Sequence, residues 1–176
     1  MSYALVGARV LIGLVFAVSA VTKLRAFAAF RVSLAAMRVV PRPLVGPVAV
    51  GVVAAESAIP VLLLVPGAQA AGFVVAVLLL AAFSAGIARV LATGTTASCR
   101  CFGVSAAPFG RHHLYRNAVL TVVAAAGLIA AVRPGQGPAP AGAAVAAGAA
   151  AVAALVVVML DDIVELFRPE QPAVHR

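Results

Sequence analysis

The chain has 176 residues, 64% of them hydrophobic and 10% charged, with a mean hydropathy of +1.14 and a formal net charge of +8. Soluble domains average about 45–50% apolar and about 25% charged residues, and a globule of this size still exposes much of its surface, so the composition argues against a water-soluble fold. The apolar runs are continuous rather than alternating, which argues against a membrane β-barrel, and the charges sit at the ends of those runs, which points to topology and anionic headgroups rather than nucleic acid.

At about 20 residues per crossing, the length allows four or five membrane-spanning helices and no separate soluble domain. Five apolar runs stand out, at about 3–22, 44–65, 68–91, 113–132 and 141–160. Together they predict an all-α, polytopic transmembrane bundle: a four-helix core, a fifth span and a short interfacial helix, in one domain over 1–168 with a flexible tail at 169–176. The first run ends in Ala17-Val18-Ser19-Ala20, small residues of the kind that precede a signal-peptidase cut. Its positive charges, Lys23 and Arg25, follow the apolar stretch rather than precede it, so a retained first helix is expected.

Between the first two runs, Phe27, Phe30, Leu34 and Met37 fall on one helical stripe, with Arg31 and Arg38 at its edge. This reads as an interfacial helix over about 25–40 with snorkelling arginines, or alternatively as a loop helix packed on the core. Pro41-Arg42-Pro43 is expected to stop it, because proline lacks an N–H and restricts its predecessor. Segment 23–43 carries Lys23, Arg25, Arg31, Arg38 and Arg42 without an acid, and segment 89–116 carries Arg89, Arg100, Arg111 and Arg116, also without one. Basic loops stay cytoplasmic, which puts the amino terminus outside, the carboxyl terminus inside and the 89–116 loop in the cytoplasm.

Glu56 lies 12 residues into the second run, about 18 Å deep at the helical rise. A carboxylate at that depth is costly, so it is paired, protonated or functional. Arg9 lies 14 residues before Lys23, about 21 Å from the same face, and antiparallel packing would bring Arg9 and Glu56 to one depth. The expectation is that they pair or share a network, as a structural salt bridge or as a proton or quinone-headgroup site with Lys23 at its edge. Pro60 should free backbone carbonyls beside Glu56. Tyr115 fits an interfacial aromatic belt, and Asn117 is polar enough to bridge helices or to hold the cysteine loop. In the fifth run Ala144 and Gly148 lie four apart on a small face suited to close packing, either within the chain or against a partner subunit in a homo- or hetero-oligomer.

The only two cysteines form Cys99-Arg100-Cys101, followed by Phe102-Gly103 and by Arg111, His112, His113 and Arg116. Thiolate, not thiol, is the nucleophile, and adjacent positive charge favours it. The amino end of the fourth span adds partial positive charge. A disulfide closed across one residue is strained, hence oxidising and labile, so exchange suits this pair better than bracing. Two other readings stay open: incidental cysteines, or a soft-metal site for zinc or copper built from Cys99, Cys101, His112 and His113. That spacing matches no standard zinc framework, and adjacent histidines are expected to project in different directions.

Ser19-Ala20-Val21-Thr22-Lys23-Leu24, Glu56, Cys99-Arg100-Cys101-Phe102-Gly103 and Arg116-Asn117 together resemble the MauE branch of the DoxX-like membrane proteins over roughly residues 5–130. Arg100 departs from the small residue more usual in that family and bears on the potential of the pair. The resemblance implies a redox role for Cys99 and Cys101 with a thioredoxin-like partner, in the disulfide chemistry of exported proteins, in a bacterial cytoplasmic membrane. The resulting expectation is a thiol–disulfide oxidoreductase that requires no resident cofactor and passes electrons to or from quinone or a second thiol protein. The alternatives are metal capture and a non-catalytic subunit that matures a partner.

Overall fold

The computed structural model describes residues 3–93, 111–133 and 139–166. Among these residues the regular elements are all helical: α1 (Tyr3–Arg25), α2 (Phe27–Ala36), a 3-10 turn (Arg42–Leu44), α3 (Val45–Leu64), α4 (Gln69–Thr93), α5 (Arg111–Val132) and α6 (Pro140–Leu166). Five of them are long and apolar enough to cross a bilayer, and the chain is an integral membrane protein with an all-α polytopic bundle. Within a bilayer, helices satisfy their own backbone polar groups, which is why continuous apolar sequence resolves into them.

α1 packs against α3, α3 against α4, α4 against α5, and α5 back against α1, so four helices close a ring. The ring interior is built from Leu5, Ile12, Val15 and Phe16 of α1, Ile59 and Leu63 of α3, Phe73, Ala76 and Leu80 of α4, and Leu120 and Ala124 of α5. With Ala8 of α1 included, and apart from the adjacent Val15 and Phe16, the contributions recur every three or four residues along each helix, the repeat of one helix face. Where α1, α4 and α5 meet, the helices approach so closely that a Cβ on Gly127 would lie 2.5 Å from the Phe73 ring and 2.9 Å from Ala8 Cβ. α3 turns into α4 over Val65–Ala68, with Gly67 at φ +83°, a left-handed position that a side chain would strain.

α6 lies outside the ring against α1. It extends past the expected end at 160 to Leu166. The small residues singled out by spacing, Ala144 and Gly148, are exposed, and the face turned inward carries Ala150 and Ala154. The whole helix is small-residue rich, so spacing alone does not distinguish its faces. The close approach to α1 falls instead at Gly142, against the Tyr3 ring, and at Ala146, whose carbonyl faces Gly7.

α2 is shorter than the expected 25–40. It stops at Ala36, before the prolines, because Arg38 takes a left-handed conformation at φ 52°. Its stripe residues Phe30 and Leu34 are buried with Val45, Ala49 and Val53 of α3. The packed-helix reading therefore describes the apolar stripe, which faces protein. The expected tail, 169–176, lies outside the described residues.

Candidate functional site

Ser19 and Lys23 stand one turn apart on the inner face of α1, and both are buried. Residues four apart on a helix lie one above the other, and helical side chains lean toward the amino terminus, so the Lys23 stem runs back over Ser19 into the bundle. There its ammonium meets Glu56 of α3. Lys23 Nζ donates to Glu56 Oε1 at 2.8 Å and to Ser19 Oγ at 2.6 Å, and Ser19 Oγ donates to the same Oε1 at 3.0 Å. The aromatic rings of Phe30 and Phe83 flank the ammonium, with centroids 5.4 Å and 5.6 Å away, within the range of cation–π attraction. Among the described residues Glu56 Oε2, also buried, has no hydrogen-bond partner.

The first turns of α5 add polarity to the same interior. His113, Arg116 and Asn117 are all buried. Arg116 lies near enough for its charge to oppose that of Lys23. The centre thus sets two cations against one carboxylate among the described residues. Such a site favours an electron-rich oxygen. Pro60, inside α3, has no N–H for the backbone carbonyl of Glu56, so the helix leaves an acceptor at the residue that carries the carboxylate.

The expected Arg9–Glu56 pair does not form. Arg9 Nε donates instead to the Leu63 carbonyl at 2.8 Å, at the last turn of α3. The last four carbonyls of a helix lack helical partners, and a cation there also complements the dipole, so Arg9 acts as a cap. The depth comparison assumed that α1 ends and α3 begins at one level. The contact between Lys23, near the end of α1, and Glu56, eleven residues into α3, shows that the two helices are offset, and the lysine stem spans the rest. Lys23 counts among the basic residues of segment 23–43, yet at 2% exposure it belongs to the interior.

Cys99, Arg100 and Cys101 lie outside the described residues, as does the side chain of Arg111. His112 and His113 are described, and their rings lie against each other at a centroid separation of 3.9 Å instead of projecting apart. Among the described residues no group of three or more His, Cys, Asp or Glu gathers in a metal-binding arrangement. Tyr115 points outward and is 71% exposed. Sequence reasoning missed Ser19, Phe30 and Phe83 as neighbours of the charge. The available signal was Ser19 four residues before Lys23. Nothing in the sequence separated Phe83 from the other apolar residues of α4.

A closed ring of four apolar helices with a lysine–glutamate pair sealed inside defines a polytopic membrane protein with an intramembrane polar centre. The chain belongs to the family described as methylamine utilisation protein MauE, whose model matches residues 1–130. The matched segment includes α1 to α4, most of α5, and the Cys99–Cys101 pair, whereas α6 lies beyond it. No curated protein and no solved structure matches the chain.

Proposed function

We propose that this protein is a membrane thiol–disulfide redox protein in which Cys99 and Cys101 cycle between dithiol and disulfide with a thioredoxin-like partner. The observation that carries the reading is the buried Ser19–Lys23–Glu56 centre, with Arg116, from the helix that follows the cysteine segment, close enough for its charge to act on Lys23. A bundle built only for lipid has no use for two cations and a carboxylate in its interior, because each costs several kcal/mol to desolvate. Cys99 and Cys101 belong to the segment joining α4 to α5, and the start of α5 contributes to that centre.

In the exchange step, the thiolate of one cysteine attacks a disulfide of the partner and forms a mixed disulfide. The second cysteine then attacks its neighbour and releases the partner as a dithiol. The two electrons thus come from this chain, which becomes oxidised, and the reverse sequence reduces it. Arg100, Arg111 and His112 favour the thiolate. One cysteine pair serves one such exchange, so after the forward sequence a quinol or a second thiol protein re-reduces the chain, and after the reverse sequence quinone or a second thiol protein takes the two electrons.

Replacing Cys101 by Ser tests the reading. The remaining Cys99 is then expected to hold a partner in a mixed disulfide that accumulates on non-reducing gels and disappears on reduction. Absence of any trapped partner from both single variants, Cys99→Ser and Cys101→Ser, would refute it. A stoichiometric zinc or copper lost in the double-serine variant would favour metal capture instead.

A further inference from the structure

A cavity of about 410 Å³ lies between α2, α3 and α4, lined by Val48, Val52, Leu79 and Ala82 among other apolar groups, and by Arg89. Phe30 and Phe83 also line it, and these are the rings that flank the Lys23 ammonium. The two rings therefore have the apolar cavity on one side and the ion pair on the other. A ligand carbonyl that displaces either ring from the ammonium exchanges its cation–π contact for a hydrogen bond from Lys23. Pockets for small organic ligands fall in this size range and pair an apolar lining with a few polar groups.

We infer that this cavity takes a lipid-soluble quinone, with its ring between Phe30 and Phe83, one carbonyl oxygen toward Lys23, and its aliphatic tail along Val48, Val52 and Leu79. The inference rests on the redox reading above and gives the electron carrier a site. A quinone fits on three grounds. Its flat ring stacks on aromatic side chains. Its carbonyl oxygens accept hydrogen bonds but carry no charge into lipid. Its reduction develops negative charge on an oxygen, which Lys23 and Arg116 outweigh Glu56 in stabilising. The balance closes with the cysteine pair. The two thiols release two electrons and two protons and form one S–S bond, and the quinone takes up both electrons and both protons to become a quinol.

The chain contains no tryptophan, so Leu79→Trp introduces a single emitter on the cavity wall. In phosphatidylcholine nanodiscs, a benzoquinone bearing a decyl chain is expected to quench this emission saturably. Ala82→Phe, which fills the cavity, should weaken the quenching at least tenfold, as should the paired change Lys23→Met with Glu56→Leu, which leaves no buried charge at either position. The Cys99→Ser/Cys101→Ser variant should bind as the parent does while forming no mixed disulfide, so binding is read separately from thiol exchange. Quenching that rises linearly with quinone and equally in every variant would overturn the assignment. So would displacement of the quinone by phosphatidylglycerol at equal concentration, which would give the cavity to a phospholipid. Saturable quenching in a protein whose Cys99→Ser and Cys101→Ser single variants trap no partner would refute the redox reading alone.

Discussion

Lys23 on α1 and Glu56 on α3 meet at 2.8 Å with side chains 1% and 0% exposed, so each charge depends on the other for its place in the bundle. Removing one partner of a buried pair strands the other and costs about 3–5 kcal/mol, whereas replacing both by apolar groups is often neutral. Lys23→Met and Glu56→Leu are each expected to lower thermal stability in detergent by that amount. The double variant should recover most of it. Additive losses in the double-mutant cycle would show that the two residues do not act as a pair.

Arg9 is expected to matter for stability and not for electron transfer. It caps the Leu63 carbonyl from a neighbouring helix, and hydrogen bonds of a charged donor contribute about 1.5–3 kcal/mol. Arg9→Met should lower the unfolding midpoint by a matching amount while leaving mixed-disulfide formation unchanged. A loss of exchange at unchanged stability would move Arg9 into the polar centre.

Gly127 leaves no room for a side chain. A methyl there would press on the Phe73 ring and on Ala8, and overpacking of this kind costs about 1–3 kcal/mol. Gly127→Ala should destabilise the bundle, and adding Phe73→Leu should restore part of the loss by withdrawing the ring. Equal stability of Gly127→Ala and the parent would show that α1, α4 and α5 separate easily.

By the charge rule, the cysteine segment is expected to face the cytoplasm. An impermeant thiol reagent applied to intact, pre-reduced cells should leave Cys99 and Cys101 unmodified, and permeabilisation should expose them. Labelling in intact cells would reverse the orientation. It would also put the pair on the side where exported proteins fold.

Much of the architecture was legible because hydrocarbon solvent imposes a simple rule. Runs of about 20 apolar residues must be helices, so the spans could be read to within a few residues, apart from the extension of α6 to Leu166. The cost of a carboxylate in lipid likewise marked Glu56, and the combination of Lys23, Glu56, Cys99-x-Cys101-Phe102-Gly103 and Arg116-Asn117 marked the family. Which cation meets Glu56 was not legible. By helix rise Arg9 matched the depth of Glu56 and Lys23 did not, and the actual pairing depended on side-chain direction and on how α1 and α3 are offset along each other. The same holds for Phe83 and for the inward face of α6. In a chain that is apolar on all sides, composition states that a helix is buried in something. Only the packed bundle decides which face meets protein and which meets lipid.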